Sequence, residues 1–433
     1  MAGSRRRRRG RARPPQQGAE PSPLADATLI SREVATVERP SKNTCLASAS
    51  ASTSLAISGP YVCADLLDSL LHEIIALFNS FRDFLAFAGT CRSWRAAVST
   101  FPSVYTFGFP PFHLKPDGPY VRPHSSGIKP ILLSNCKWQL SDPSKKNLSL
   151  VCSVSENNPN TMHYLGCSYG YLIFSYEEHC LLVNVYTGTK VKPPKLPPNN
   201  RLGYLCGIGI LTAPLNSPNS RLLLCSKASM FEWQVGTNSW SEHPLALDRE
   251  NIYQIVFFKG DIFVIDGLMR LHTIHLTPQF SMQEVAIKLE FAPLHSWLVV
   301  CGDMLLMVDQ VLSYGELNGS VDTTIKVFRL DFSVEPAEWV KLEKLENHAL
   351  FVSVDRRNPT FSCMSPERWG GKSNCIYFAR LSEGPDETWT AVDLGQPVLK
   401  DTVFPIYYGM VLPPDCSLLS SLWVFPNLIY GSG

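Results

Sequence analysis

The chain has 433 residues, of which 45% are hydrophobic and 18% are charged, and its formal net charge is +1. This length allows two or three domains with a sizeable core. The small net charge excludes an overall field that would select nucleic acid, a membrane surface or an acidic substrate. Thirteen scattered cysteines without a CxxC pair predict reduced thiols in an intracellular protein. We expect neither a membrane span nor secretion, because long apolar runs and a signal-like start are missing.

Residues 1–60 are predicted to form a disordered tail. They combine the basic run 5–13 with the Ser/Ala-rich run 47–54, and the first aromatic residue of the sequence is Tyr61. Such a composition buries too little apolar area to offset the entropy of ordering. The basic run is interpreted as a nuclear localisation signal, with a solvated tail as the alternative. We therefore expect the nucleus, the cytoplasm or both, and no nucleic-acid binding.

Residues 61–100 are predicted to form a module of three short helices. Apolar residues recur at helical spacing from Leu67 to Phe78 and again from Phe84 to Val98. The first helix carries apolar side chains on more than the single stripe of about 100° that a surface helix needs. It should therefore bury a second face, either against the rest of this chain or against another protein.

The segment resembles an F-box in its paired leucines (Leu70–Leu71), its paired isoleucines (Ile74–Ile75) and its Cys-Arg-Ser-Trp-Arg ending at 91–95. F-boxes usually have Pro where this chain has Leu67. A helical hairpin buried in the protein's own core is the alternative interpretation. The resemblance implies an interface for a Skp-type adaptor, for which these residues are the candidates: Leu66, Leu67, Leu70, Leu71, Ile74, Ile75 and Trp94.

Residues 101–130 read as a Pro-rich linker, and residues 131–433 read as an all-β domain. Short strand-like runs alternate there with turn signals, of which Lys259-Gly260 and Gly302-Asp303 are the clearest hairpins. The run 166–175 is predicted to be one strand, followed by a turn at 176–179. Similar units return every 40–50 residues or so, the period of propeller blades, which predicts a six- or seven-bladed β-propeller. A sandwich or barrel is the alternative.

The β-rich region from Leu165 to Gln396 also resembles the plant F-box-associated, KIB-type β-propeller family. The resemblance rests on Leu182-Val-Asn-Val-Tyr-Thr-Gly188 with the prolines that follow it, on the hairpin around Phe258-Lys-Gly-Asp-Ile-Phe263, and on a C-terminal run. That run contains Ile325-Lys-Val-Phe-Arg-Leu-Asp331 and Asn374-Cys-Ile-Tyr-Phe378. Trp240, Trp339 and Trp389 occupy similar points of their units and are interpreted as packing residues of the blades.

Motifs of phosphate-binding loops, metalloproteases and serine hydrolases are missing, so we expect neither a catalytic site nor a cofactor or metal. His272 and His275 lie three apart on a predicted strand and should face opposite sides. The two resemblances together imply a non-catalytic substrate receptor of a Skp–cullin–F-box ubiquitin ligase. The F-box would dock the Skp-type adaptor and, through it, the cullin scaffold, and the propeller would bind a target protein. The alternative is an interaction or structural protein with a degenerate F-box.

Overall fold

The computed structural model describes residues 66–78, 81–100, 106–107, 109–117, 137–144, 149–153, 162–197, 207–245, 247, 251–288, 296–314, 321–379, 389–398 and 419–425. The chain divides into two units, Met1–Ser58 and Gly59–Gly433, and every described residue belongs to the second. The predicted disordered tail and its basic run lie outside the described residues.

Three short helices open the described chain: α1 (Asp68–Ala76), α2 (Phe81–Thr90) and α3 (Arg92–Thr100). They confirm the predicted helical module. The inward-facing residues follow the helical period, because Leu71 and Ile75 of α1 are both buried, as are Phe84 and Phe87 of α2. These side chains belong to a hydrophobic cluster that continues into the β domain.

The rest of the described chain is almost entirely β-structure. Its strands are, in chain order, β1 (Thr106–Phe107), β2 (Phe112–Asp117), β3 (Lys137–Ser141), β4 (Ser149–Ser153), β5 (His163–Ser168), β6 (Tyr171–Tyr176), β7 (His179–Asn184), β8 (Lys190–Val191), β9 (Ile208–Leu211), β10 (Arg221–Cys225), β11 (Ser229–Gln234), β12 (Ser241–Pro244), β13 (Ile252–Phe258), β14 (Asp261–Asp266), β15 (Leu271–His275), β16 (Ser281–Glu284), β17 (Ile287–Lys288), β18 (Ser296–Cys301), β19 (Met304–Tyr314), β20 (Val321–Asp331), β21 (Ala337–Leu342), β22 (His348–Ser353), β23 (Phe361–Met364), β24 (Cys375–Ala379), β25 (Trp389–Asp393), β26 (Pro397–Val398) and β27 (Leu422–Val424).

These strands form the six sheets of a six-bladed β-propeller, which confirms the predicted fold class and settles the blade count. Three blades are four-stranded antiparallel sheets of strands consecutive in the chain: β5–β8, β9–β12 and β13–β16. A fourth has the order β17-β21-β20-β19-β18, with β26 added to β20. Neighbouring blades meet along their first strands, as β5 does with β9 and β13 with β18.

The ring is closed by strands from distant parts of the chain. β27 pairs antiparallel with β2, so that Phe112 lies opposite Val424 and Leu114 lies opposite Leu422. The blade that results has the order β27-β2-β3-β4. Radial repetition of blades in a closed ring leaves only short sheet edges.

The described part of the predicted linker differs from expectation. Residues 106–107 and 112–117 are strands of the propeller, although 101–130 were predicted to be irregular. Prolines suggested a linker, but Pro116 is placed opposite Trp138 in a sheet that β27 completes. Because β2 and β27 are far apart in sequence, local composition could not indicate that they pair. The remaining domain boundaries stay predictions.

The predicted hairpins at Lys259-Gly260 and Gly302-Asp303 are confirmed. Lys259 and Gly260 have φ of 52° and 91°, and two positive φ values are typical of a tight type I′ turn. The prediction of one strand over 166–175 is wrong. Tyr169 and Gly170, with φ of 48° and 73°, form a turn of the same kind that separates β5 from β6.

The last blade departs from the simple up-and-down order. Its strands lie in the order β1-β23-β22-β24-β25, and the neighbours β22 and β24 are parallel. β23 follows β22 in the chain but pairs on its other side, next to β18 of the neighbouring blade. The loop 354–360 therefore precedes this inserted strand, and a 3₁₀ helix at 366–369 follows it.

Candidate protein-interaction surfaces

The first helix begins at Leu67, where the F-box pattern usually has Pro. This residue is the N-cap of α1, with an extended backbone at φ −62° and ψ 142°. Its carbonyl accepts the first helical hydrogen bond from the Leu71 N–H at 3.1 Å. Proline fixes φ near −65°, so the backbone here has the geometry that Pro would impose although the residue is Leu.

Two neighbouring apolar stripes run along α1. At about 100° per residue, Leu67, Leu70 and Leu77 fall within roughly 80° of one another. They are 69%, 44% and 70% exposed, whereas Leu71 and Ile75 on the adjacent stripe are 0% and 4% exposed. The second apolar face expected from the sequence is therefore present, and part of it is open. We call Leu67, Leu70 and Leu77 the leucine stripe.

The seven candidate adaptor residues differ in how far they are exposed to solvent. Leu67 and Leu70 are exposed, Leu71 and Ile75 are buried, and Leu66, Ile74 and Trp94 are half-buried against the core cluster. Adaptor binding by this set stays a prediction. The sequence reasoning left out Leu77, which the helical period starting at Leu67 would have indicated.

The helical module is internally tied by polar and aromatic contacts. His72 Nε2 lies 3.1 Å from the Ala97 carbonyl, which joins α1 to α3. Arg95 donates from Nε to the Ala88 carbonyl at 3.2 Å, and this bond joins α3 to α2. The Trp94 ring packs on the Phe87 ring, and the two ring centroids are 4.4 Å apart. Trp94, which belongs to the Cys-Arg-Ser-Trp-Arg ending, thus packs within the helical module.

The module is also attached to the propeller at two points. Arg368 of the 3₁₀ helix donates from Nη1 to the Ala76 carbonyl at 3.0 Å and from Nη2 to the Leu77 carbonyl. These carbonyls end α1 and need partners from outside the helix, and a cation suits the negative end of the helix dipole. On the apolar side, Phe84 packs on Phe109, which packs on Phe425.

A polar loop at 354–360 joins blades from different parts of the ring. Arg357 forms a bidentate ion pair with Asp355, with Nη2 and Oδ2 2.6 Å apart, and donates to the Tyr164 carbonyl. The buried Tyr164 hydroxyl donates to Asn358 Oδ1 at 2.5 Å, and burial raises the Tyr164 pKa. Thr360 donates to the Leu298 carbonyl at 2.6 Å. The loop thus holds three blades together.

The blades approach this loop closely, and a small cavity remains. A Cβ on Gly166 would lie 2.5 Å from the Gly209 carbonyl oxygen and 3.0 Å from that of Arg357. Only glycine allows this approach. The cavity, of about 70 Å³, is lined by strands of several blades and by residues 357–361. It has room for a few water molecules but not for a drug-sized ligand, whose pockets measure about 300–1,000 Å³.

Arg356 belongs to this loop and lies among aromatic rings. Its guanidinium is 5.8 Å from the Tyr253 ring centroid and 5.7 Å from that of Trp297, within cation–π range. Burial lowers the Arg356 pKa to about 10. The Met269 sulfur lies 3.9 Å from Arg356 Nη1. Leu268, the residue before Met269, is 60% exposed. Arg356 lies in the loop before β23, and Arg368 lies in the 3₁₀ helix after it. The two arginines are therefore at opposite ends of that strand.

The structure also shows the surroundings of His272, His275 and Asp266. His272 is buried and bonds Asp266, whereas the His275 side chain is 43% exposed, so the two face opposite sides as predicted. Asp266 also accepts from the Leu268 and Arg270 amides, a role that aspartate often has in turns. Within the described ranges, no three His, Cys, Asp or Glu residues are grouped to hold a metal. No described helix has the length and apolar character to cross a membrane.

The proline-rich run after β7 packs within the propeller. The Trp240 indole donates to the Pro194 carbonyl at 3.0 Å, and Leu196 is buried. Lys195 pairs with Glu178 at 2.6 Å. The three tryptophans predicted at repeating blade positions are all half-buried against blade cores.

The fold defines the class of protein as a six-bladed β-propeller with an attached helical module. The family described as KIB1-4 beta-propeller matches residues 140–404. The chain belongs to this family.

The chain is also similar to individual proteins. A protein of Arabidopsis thaliana named "Putative F-box protein At3g25750" is 21% identical over 338 residues, which cover 73% of this chain and 87% of that protein. Among solved structures, Kluyveromyces lactis Hsv2p matches with a TM-score of 0.26 and 11% identity, over 48% of this chain and 78% of that one. PorZ of Porphyromonas gingivalis matches with a TM-score of 0.26 and 12% identity, over 48% and 31%.

Proposed function

We propose that this protein is a substrate-recognition subunit of a Skp–cullin–F-box ubiquitin ligase. The helical module docks a Skp-type adaptor, the adaptor connects it to the cullin scaffold, and the propeller binds the target protein. The protein itself is non-catalytic in this proposal. The observation that carries it is the leucine stripe, because three large apolar side chains on one face of α1 are exposed in a module that is otherwise well packed.

The attachment of the two parts supports this division of roles. The Arg368 bonds to the end of α1 and the Phe84–Phe109–Phe425 contacts hold the module on the propeller. A receptor that presents a target to a ligase needs its docking module and its target surface on one scaffold. The resemblance to F-boxes and the similarity to an Arabidopsis protein named as an F-box protein support the same role.

The alternative is an interaction protein with a degenerate F-box that docks no adaptor. It rests on Leu67, where Pro is usual. The backbone at Leu67 already has the φ of a proline, so the substitution leaves the start of α1 in place. This observation favours the ligase proposal over the alternative.

The binding experiment measures the affinity of the full chain for a purified Skp-type adaptor by biolayer interferometry. We expect the unaltered chain to bind at micromolar concentration or tighter. The double change Leu67→Ser with Leu70→Ser should weaken binding tenfold or more, because two interface truncations each cost about 1 kcal/mol or more. Leu268→Ser is the matched control, since this leucine is also exposed but lies on the propeller.

The outcome separates the two functions. Binding that is lost with the double change and kept with the control supports the receptor proposal. If the unaltered chain does not bind the adaptor at micromolar concentration, the alternative replaces it. Co-purification of the cullin scaffold with tagged protein from cells then tests assembly of the larger complex.

We also propose that the protein acts in the nucleus, the cytoplasm or both, and that the basic run 5–13 is a nuclear import signal. Consecutive arginines are typical of such signals. A fluorescent fusion should lose nuclear signal when Arg5–Arg9 are replaced by alanine. Unchanged distribution would contradict the assignment of the signal.

A further inference from the structure

The small cavity between the blades lies against the edges of four strands. Each of β5, β9, β13 and β18 is the end strand of its described sheet and pairs with one neighbour in that sheet. The other edge of such a strand carries backbone N–H and C=O groups that the sheet does not use. We call this the inner edge. The cavity, of about 70 Å³, is lined by residues of all four strands.

The register of β18 shows which of its residues use the inner edge. Cys301 and Met304 close a two-residue turn, so Cys301 and every second residue before it bond to β19. Leu298 and Val300 therefore present their N–H and C=O groups at the inner edge. Val300 is the one of these two that lines the cavity.

The same alternation applies to the other three strands. Ser168 closes the turn after β5, Phe258 closes the turn after β13, and the Thr212 N–H after β9 donates to the Arg221 carbonyl. Counting back from these positions gives the cavity-lining residues whose backbone groups lie at an inner edge: Cys167, Gly209, Ile255, Phe257 and Val300. Within the described part of the chain, no loop or side chain forms a hydrogen bond with these backbone groups.

The protein itself shows which chemical group satisfies an inner edge. The Leu298 N–H donates to Gln254 Oε1 at 2.7 Å, and Gln254 Nε2 donates to the Leu298 carbonyl at 2.8 Å. One buried carboxamide thus pairs with the donor and the acceptor of a single residue. Val300, two residues further along the same strand, presents the same two groups to the cavity.

Other chemical classes suit the cavity less well. An aliphatic group would bury the N–H and C=O groups without partners, which is costly for each group. An ion would need an opposite charge, and the charged residue among the described lining, Arg357, already pairs with Asp355. A neutral group with both a donor and an acceptor avoids both costs.

We propose that this cavity is a pocket for the carboxamide of a glutamine or asparagine side chain of the target protein. This proposal rests on the proposed function, in which the propeller holds a target. Pockets for whole small ligands measure about 300–1,000 Å³, so a group in this cavity has to project from a larger molecule. The side chain enters at the half-buried Tyr169, Ile210 and Phe257, which lie at the ends of β5, β9 and β13.

The test titrates the isotope-labelled full-length chain with acetamide and follows its backbone N–H groups by TROSY NMR. The Gly209 and Val300 signals should shift with a midpoint below about 100 mM, as the binding energy per atom of very small ligands allows. The Leu298 N–H is the matched control, because Gln254 already bonds it. Acetone lacks the donor and acetate is charged, so each should need at least about fivefold more for the same shift.

Tripeptides test whether the carboxamide can belong to a protein. Gly-Gln-Gly or Gly-Asn-Gly should shift the same two signals as acetamide. Gly-Met-Gly and Gly-Glu-Gly have the same backbone but an apolar or charged side chain, and should leave these signals unchanged. If acetamide shifts the signals and neither amide peptide does, the pocket takes only free amides and the assignment to a target side chain is overturned.

The outcomes distinguish this pocket from the receptor role. If acetamide shifts neither signal, or acts no better than acetone, the pocket is overturned, whereas adaptor binding through the leucine stripe is unaffected by that result. If the amide peptides bind but the unaltered chain binds no adaptor, the pocket is supported and the receptor role fails. All titrations use the unaltered chain, so misfolding of a variant does not enter the comparison.

Discussion

Individual residues in this protein carry out roles that their type alone does not reveal. Leu67 holds a proline-like φ without being proline, and Arg368 ends a helix that belongs to another part of the fold. Trp339 was expected to pack within a blade and is half-buried, whereas Phe378 is 0% exposed. At this scale, position within the packed molecule decides the energetic weight of a side chain.

Leu67→Pro should be tolerated. The φ of −62° suits proline, and the first N–H groups of a helix lack intrahelical partners in any case. Reduced freedom of the unfolded chain should raise the free energy of unfolding by about 0.4–1 kcal/mol, measured by urea denaturation. Ile74→Pro, in the interior of α1, is the control and should cost about 3 kcal/mol or more. A loss for Leu67→Pro as large as the control would show that this backbone geometry is wrong.

Phe378→Ala should cost about 3–5 kcal/mol of unfolding free energy, the usual range for a fully buried large aromatic. Trp339→Ala should cost less, because its side chain is only partly removed from solvent. Urea midpoints of the two variants provide the comparison. Equal losses for the two would mean that Trp339 packs as deeply as Phe378.

Elements of this chain are completed by their neighbours. α1 buries one apolar stripe internally and exposes another, and its last carbonyls bond to the propeller. β2 pairs with β3 on one side and with the distant β27 on the other. α2 contains Gly89, which is exposed and has open space where a Cβ would lie.

Gly89→Ala should therefore stabilise α2. Glycine within a helix costs about 0.5–1 kcal/mol relative to alanine, and no described atom obstructs the added methyl group. The urea midpoint should rise accordingly. Gly209→Ala is the opposite case, since its Cβ would lie 2.9 Å from Ile173 Cγ2, and overpacking should cost about 1–3 kcal/mol. A loss of stability for Gly89→Ala would contradict the open environment.

At the scale of the whole molecule, two features hold the ring together. The first is the pairing of β27 with β2, where the Trp423 indole also donates to the Val352 carbonyl at 3.0 Å. The second is the loop 354–360, which bonds three blades. His113 lies on β2 opposite Trp423 and is fully buried.

The seam at His113 should weaken in acid. Burial, with a smaller effect of Lys115, lowers the His113 pKa from 6.5 to about 3. Between pH 6.5 and pH 3, His113 is therefore protonated in the unfolded chain but neutral in the folded chain. The free energy of unfolding is highest above pH 6.5 and declines as pH falls towards 3. Between pH 8 and pH 5 this amounts to about 2 kcal/mol.

The change His113→Phe should remove that part of the pH dependence, measured as urea midpoints at pH 8 and pH 5. The ring sits between Trp389 and Trp423, and neither nitrogen has a hydrogen-bond partner among the described residues, so phenylalanine suits the site. His275→Phe is the control, because the His275 side chain is 43% exposed whereas His113 is fully buried. Equal pH dependence in His113→Phe and the unaltered chain would contradict a neutral buried His113.

The sequence by itself determined what depends on neighbours along the chain. Helical spacing predicted α1 to α3, glycine turns predicted hairpins such as Lys259-Gly260, and the blade period predicted the propeller. Only the tertiary structure decided that β27 closes the ring, that β23 lies on the far side of β22, and that Leu71 is buried while Leu70 is exposed. The reason is physical. Turns and helices are stabilised by residues a few positions apart, whereas sheet closure and burial depend on partners that sequence spacing does not specify.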